Sequence, residues 1–404
     1  MLGDKRFLRT IKLRNILSFG PDTPELELRS LNVLIGPNGA GKSNLIEAIG
    51  LLQSAPSNLL APIRAGAGIS EWLWKGSDGV PVAEIDATVS YPESKIPLRH
   101  VLKFTAVGQR AELVDEAIEN EPRELTGVGY SRGFFYKYSS GHPVLNVKKD
   151  SATGGGRKQR VLRREDLARD QSVLSQRKDP DQYPEVTYLG REYAKIRLFR
   201  EWSLGRNTQP RKPQPPDLPA DFLDEDAANL ALVLNDLESR SGLRSSLVEQ
   251  LREADESIVD FSTRVLGGTI QLHLHYSGLK ASVPATRLSD GTIRYLCLLA
   301  VLCHPEPPPL VCLEEPELGL HPDLLFKLAD LLVDASHRMQ LIVTTHSDVL
   351  VDGLTKVPEA VIVCEKQNGS TKMSRQNSAD LAVWLKDYSL GQLWRRGEIG
   401  GNRW

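Results

Sequence analysis

Apolar positions along the chain change period several times, and each change marks an element. Residues 7–13 (FLRTIKL) and 25–35 (ELELRSLNVLI) are rich in aliphatic and β-branched residues. Gly20-Pro21 breaks between them, so both stretches predict strands. The second runs directly into Gly36. From about Ser43 to Gln53, Leu45, Ile46, Ile49 and Leu52 recur at helical spacing. Residues 82–90, 98–107 and 110–118 alternate and are split by Tyr91-Pro92 and Gly108, which predicts an antiparallel meander. From about 120 the pattern loosens. Residues 207–221 (NTQPRKPQPPDLPAD) hold five prolines and predict an irregular linker. Leu230, Leu234 and Leu237, then Leu243, Leu247 and Leu251 after Ser241-Gly242, predict a short helix pair without the sustained heptads of a coiled coil.

The last third is regular again. It predicts a helix at 288–303, a buried strand at 310–314, a helix at 322–336, a buried strand at 340–345 and a further strand at 360–364. Strands that alternate with helices imply a parallel sheet covered by helices, an α/β class. Three regions follow: 1–120, a looser 121–287, and 288–404.

Composition narrows the function classes. The chain has 404 residues, 40% hydrophobic and 25% charged, which is ordinary for a globular protein able to bury its own core. A net charge of −2 gives no bulk attraction to nucleic acid or membrane, so any basic surface is local. Residues 148–212, with a triple glycine at 154–156, hold 17 Lys/Arg against 9 Asp/Glu. That segment reads either as a source of phosphate contacts or as a solvated insertion. Cys297, Cys303, Cys312 and Cys364 sit in apolar stretches without CxxC spacing and read as reduced core residues. The longest apolar run, Tyr295 to Cys303, is far short of the ~20 residues that span a bilayer. The N-terminus carries charges where a signal peptide needs an apolar stretch. The expectation is a soluble, cytoplasmic protein with no membrane partner.

Four motifs carry chemistry. Residues 36–43, GPNGAGKS, match GxxxxGK[ST] after a strand and before a helix. Glycines let backbone amides curl around phosphate oxygens, and the helix start adds partial positive charge. Gly36, Pro37, Asn38, Gly39, Ala40, Gly41, Lys42, Ser43 and the following Asn44 are the candidate ATP-binding residues. Lys42 would contact the β- and γ-phosphates, and Ser43 would ligate Mg2+. Residues 310–315, LVCLEE, place two carboxylates at the carboxyl edge of a buried strand, where α/β sheets put their sites. Glu314 would hold Mg2+ and Glu315 would polarise the attacking water. Ser289, Asp290 and Gly291 of LSDGT open a helix with a hydroxyl and a bare glycine suited to a γ-phosphate. His346 follows the strand 340–345, where its two nitrogens could bridge phosphate and water.

In this order the motifs resemble the ABC-type ATPase superfamily: GPNGAGKS as Walker A, LSDGT as signature, LVCLEE as Walker B, ELGLH at 317–321 as D-loop and TTHS as His switch. The chain is similar to the stand-alone ATPases of the RecF/SMC/OLD-type branch, because Ser289 lies 247 residues after Lys42 and LEEPELGLHP, THSDVLV and DYSLGQLWRRGEIGGNRW read as that branch's wording. Transporter nucleotide domains place the signature much closer.

The resemblance implies a P-loop NTPase head with an antiparallel β subdomain and an inserted helical, irregular lobe. It implies ATP hydrolysis to ADP and phosphate in a head-to-tail homodimer, each nucleotide held between Walker A of one chain and the signature of the other. Three residues depart from the family wording: Leu17 stands where NFRSF would place arginine, Glu314 where aspartate is common and Asp290 where glycine is common. No Q-loop glutamine is identifiable: Gln53 is too close to Lys42, on the same helix, and Gln109 falls in a hairpin. OLD-type proteins continue past the His switch into a nuclease domain. Here 58 residues follow His346, and Glu365 at the end of VIVCE has no DxD partner, so no nuclease is expected in this chain. For biological role, a DNA-associated ATPase in repair or anti-phage defence, working with a separate nuclease or effector, stands beside an ATP-driven switch that clamps a partner protein.

Overall fold

A computed structural model describes residues 5–121, 133–139, 142–148, 157–162, 167–168, 170–240 and 242–401. The triple glycine at 154–156 and part of the basic 148–212 segment lie outside the described residues. The centre of the molecule is a six-stranded sheet in the order Arg197–Phe199, Leu310–Glu314, Gln340–Thr344, Leu31–Ile35, Val361–Gln367 and Ser370–Arg375. The first five strands are parallel and the last is antiparallel. Its two faces bury different residues, as the twofold period of a strand requires. Leu31, Val33, Ile35, Val311, Leu313, Leu341 and Val343 face a core built with helices Leu230–Ser239, Leu243–Ala254, Asp290–Leu302 and Leu324–Ala335. Leu34, Leu310, Cys312, Ile342, Ile362 and Cys364 face the helix Lys42–Ser54 and the second sheet.

That second sheet is antiparallel and eight-stranded. It runs Leu26–Glu27, Leu8–Arg14, Ala83–Val89, Leu98–Val107, Arg110–Asn120, Phe134–Ser139, His142–Lys148 and Arg157–Val161. The meander therefore continues beyond the three strands read from alternation. Its outermost strand, Arg157–Val161 (RKQRV), is exposed at every position and so shows no apolar alternation to read. A third, small sheet is formed by Ile258–Leu266, Thr269–Tyr276 and Val283–Pro284, its hairpin closed by Gly267 and Gly268 in left-handed conformations.

The single strand expected at 25–35 is instead two strands in two different sheets. The break at Leu28-Arg29-Ser30 is held by buried amides. Asn32 accepts from the Arg29 backbone N–H at 2.9 Å, and Gln340 donates to the carbonyls of Leu8 at 2.7 Å and Arg29 at 3.0 Å. An apolar run cannot reveal that side chains from elsewhere bend it.

The linker expected at 207–221 is irregular but packed. Gln214 exchanges two backbone hydrogen bonds with Ile270, each of 2.8 Å, and its side chain accepts from Ala231. Arg211 is among the most deeply buried large side chains. The helix pair forms as expected. Cys297, Cys312 and Cys364 are buried, Cys303 is half-buried, and all four are free. Burial pushes the Cys303 thiol up to about 11 and the Cys364 thiol to about 12. Among the described residues no helix is long and apolar enough to cross a membrane.

Candidate functional site

The P-loop leaves the strand Leu31–Ile35 at Gly36, whose φ of 143° is open to glycine alone; a Cβ there would sit 2.2 Å from the Cys364 carbonyl oxygen. Gly41 has φ 95°, and a Cβ would lie 2.2 Å from Thr371 Oγ1 and 2.6 Å from Ser18 Oγ. Bare backbone thus passes where any side chain would collide. Thr371 Oγ1 donates to the Ala40 carbonyl at 2.9 Å and reaches Ser18 Oγ at 2.6 Å. The Asn44 amide donates to the same Ser18 oxygen at 2.7 Å. Asn44 accordingly ties the P-loop helix to the Asn15–Phe19 turn, in which Leu17 takes a left-handed φ of 52°. Ser18 and Thr371 were not legible in the sequence, because they support the loop from 353 residues apart in the chain.

Lys42 is buried, and its ammonium donates to the carbonyls of Gly36 at 2.8 Å and Pro37 at 3.1 Å. Burial lowers its pKa, against the opposing pull of Cys364, Glu315 and Glu317. The ammonium closes the loop on itself and remains beside the cradle.

The strand Leu310–Glu314 lies one strand beyond Gln340–Thr344, which in turn neighbours the P-loop strand. This order brings the three motifs to one sheet edge. Glu314 accepts from Arg200 Nε at 3.0 Å, and the nearby Ser43 hydroxyl favours its charged form. Burial raises the Glu314 pKa, and Arg200 and Ser43 counter it. Ser43 and Glu314 together present hard oxygen donors, the chemistry Mg2+ takes, so the residues present fit that ion.

Glu315 follows in a left-handed conformation, φ 44°, and its N–H donates to the Thr344 carbonyl at 3.0 Å. A non-glycine residue held there is strained, and such strain concentrates at functional positions. The turn lifts the carboxylate off the sheet to within 3.5 Å of His346 Nε2, with both side chains about one-third exposed. Glu317 is half-buried and accepts from Thr345 Oγ1 at 2.6 Å and the His346 N–H at 2.9 Å, fixing the turn that carries the histidine.

The signature residues occupy a different place. Ser289 caps the helix Asp290–Leu302, accepting from the Thr292 N–H at 3.0 Å. Gly291 is required by the D-loop: a Cβ would lie 2.6 Å from the Gly319 carbonyl oxygen. Ser289 and Gly291 border a cavity of about 630 Å³ with Tyr295, Gly319 and His321, and no P-loop residue lines it. Asp290 is ion-paired to Arg211. Arg211 also donates to the carbonyls of Leu204 at 2.7 Å, Ala285 at 3.1 Å and Leu288 at 2.5 Å. A buried arginine in a proline-rich stretch thereby shapes the signature turn, and nothing local in the sequence marks it.

Neither Gln53 nor Gln109 joins the site. Gln53 donates to the Ile196 carbonyl and to Glu225, and Gln109 lines a cavity with Leu60, Arg64 and Asp170. The polar residue that does reach the acidic strand is Arg200, immediately after the edge strand Arg197–Phe199.

No curated protein matches the sequence. Among solved structures, the chain is similar to an Smc head bound to the C-winged helix domain of ScpA, at TM-score 0.56 and 15% identity, covering 93% of this chain and 99% of that one. It is similar also to the Pyrococcus furiosus Smc head domain with an extended coiled coil, at TM-score 0.57 and 13% identity over 94% and 99%, and to the Pyrococcus yayanosii Smc head domain with a coiled coil and joint, at 0.52 and 12% over 94% and 99%. At these identities the likeness is one of fold: a P-loop NTPase head of the ABC type. The family profile described as "AAA domain, putative AbiEii toxin, Type IV TA system" matches residues 31–135 and 151–352, well over half of the chain, and spans the P-loop, the signature, the acidic strand and His346. The chain belongs to that AAA-domain family.

Proposed function

We propose that this protein hydrolyses ATP to ADP and phosphate at a composite site between two copies of the chain. The observation that carries the reading is the convergence of Lys42, Ser43, Glu314, Glu315 and His346 at one sheet edge. The P-loop amides and Lys42 hold the triphosphate. Ser43 and Glu314 hold Mg2+, which when bound neutralises charge on the phosphate oxygens. Glu315 accepts the proton of the attacking water, and His346, 3.5 Å away, orients both. The separation of Ser289 and Gly291 from the P-loop of the same chain supports the dimeric arrangement, in which Ser289 of the partner subunit closes over the γ-phosphate.

Glu315→Gln tests the reading directly. Turnover falls by about 100-fold or more, ATP binding persists, and ATP-bound dimers accumulate in size-exclusion chromatography. Normal hydrolysis by this variant would remove Glu315 as the base.

For the target, DNA is the reading favoured by the exposed edge strand Arg157–Val161, which presents Lys158 and Arg160 at the rim of the antiparallel sheet. Duplex DNA then accelerates hydrolysis, and the effect decays steeply with salt as phosphate contacts are screened. An ATPase rate indifferent to DNA at low salt would instead favour a protein-clamping switch. Repair or anti-phage defence is the setting that such an ATPase suits.

A further inference from the structure

Three oxygen-bearing side chains meet where the acidic strand faces the P-loop helix. Glu314 ends the strand, and Ser43 and Glu47 stand one turn apart on the helix. Two carboxylates held this close repel each other, and burial adds to the cost. Arg200 sits between them. Its Nε donates to Glu314 Oε1 at 3.0 Å and its Nη2 donates to Glu47 Oε1 at 2.8 Å. The forked guanidinium suits this bridging, because two acceptors on different elements are met by two nitrogens of one rigid group.

Two further facts make the arrangement more than a static ion pair. The carboxylate that Arg200 holds is the one beside Ser43, so the guanidinium shares a ligand with the proposed metal position. Arg200 also borders a cavity of about 580 Å³ between the P-loop helix and the edge strand, lined by Gly50, Gln53 and Leu198. Its side chain is 40% exposed and has room beside it to move.

Resting on the reading of Ser43 and Glu314 as metal ligands, we infer that Arg200 is an exchangeable counter-cation. It neutralises Glu314 and Glu47 while no metal is bound and gives up Glu314 when a divalent cation takes that carboxylate. A guanidinium and a divalent ion on one carboxylate repel each other, and the open cavity lets the side chain relieve the repulsion while it keeps Glu47. Arg200 is thus a positioning residue with a sign opposite to a simple orienting role. A residue that merely aimed Glu314 would help the metal bind, whereas a competitor opposes it.

The test uses thermal melting of the full chain without nucleotide, in EDTA and across a Mg2+ series at constant ionic strength. Arg200→Gln should melt below wild type in EDTA. Mg2+ alone should then raise its melting temperature by several degrees more than it raises wild type, with half-effect at a severalfold lower concentration. Arg200→Lys keeps the charge, folds readily and lacks the fork, so it should fall between the two. Identical melting and identical Mg2+ response in all three proteins would overturn the exchange, as would a weaker Mg2+ response in Arg200→Gln. ATP binding measured on the same samples separates the two readings. Intact binding with an unmoved Mg2+ response rejects only the exchange, and absence of ATP binding by wild type rejects the nucleotide site itself.

Discussion

The phosphate loop, Gly36–Ser43, and the strap from Arg197 to Gln214 are both short and largely irregular, yet they hold their shapes by opposite means. In the phosphate loop the decisive atoms are missing ones. Gly36 and Gly41 pass where a Cβ would strike Cys364, Thr371 or Ser18, and the backbone amides of Gly39, Gly41 and Ser43 have no protein acceptor among the described residues. In the strap the decisive atoms are added ones. Arg211 brings a buried guanidinium to three carbonyls and one carboxylate, and Trp202 stacks against Arg294 of the signature helix at 5.6 Å. A loop with its donors left open is built to receive an anion. A loop with its acceptors filled is built to hold another part of the same protein. Substitutions in the two should therefore fail in different measurements.

The largest effect falls in the strap. Arg211→Ala leaves the carbonyls of Leu204, Ala285 and Leu288 without their buried donor, and each such group costs about 1–3 kcal/mol. Partial collapse and water entry recover some of this, so a loss of about 3–5 kcal/mol in chemical denaturation is expected, as for other broken buried charge networks. The P-loop is untouched, so surviving folded protein should bind ATP normally and hydrolyse it poorly. Weakened ATP binding with unchanged stability would reverse the roles assigned to the two segments.

Lys42→Ala is the mirror case. One charge-assisted contact to phosphate is lost, worth about 2–3 kcal/mol, or roughly 30- to 150-fold in ATP affinity. Stability should move less than in Arg211→Ala, because the Lys42 ammonium is bonded only to the Gly36 and Pro37 carbonyls of its own loop. Equilibrium titration with a fluorescent ATP analogue reads the first, and urea unfolding the second.

This contrast explains how much of the molecule the sequence disclosed. The P-loop is a local object: strand, turn and helix are contiguous, so its chemistry is written in consecutive residues. The same holds for LVCLEE and for QLIVTTHS, whose carboxylates and histidine are brought together by a sheet order that follows from alternating strands and helices. The strap is not local. Arg200 meets Glu314 across 114 residues and Arg211 meets Asp290 across 79, and neither partner marks the other. A proline-rich stretch with arginines looks the same whether water or a carbonyl faces each guanidinium. The strand at 25–35 failed for a related reason, since the residue that bends it most, Gln340, belongs to another strand. Read alone, KIRLFR at 195–200 carried too few apolar residues to announce an edge strand beside the acidic one.

The smallest effect tests which side of the comparison Asp290 belongs to. Its carboxylate is 70% exposed although the Arg211 it pairs with is 2% exposed, so solvent screens one end of the bridge. Arg211 keeps its three carbonyls when Asp290 is lost. Asp290→Asn should therefore cost less than about 1 kcal/mol in stability. Hydrolysis decides the rest. If Asp290 only tethers the signature turn, the amide still accepts a hydrogen bond from Arg211 and turnover stays within a fewfold of wild type. If Asp290 faces the nucleotide of a second copy, removing its negative charge near the phosphates should tighten ATP-dependent dimerisation, seen as a lower protein concentration for half-maximal activity. A shift in that concentration without a shift in melting would move Asp290 from the strap's side of the comparison to that of the phosphate loop.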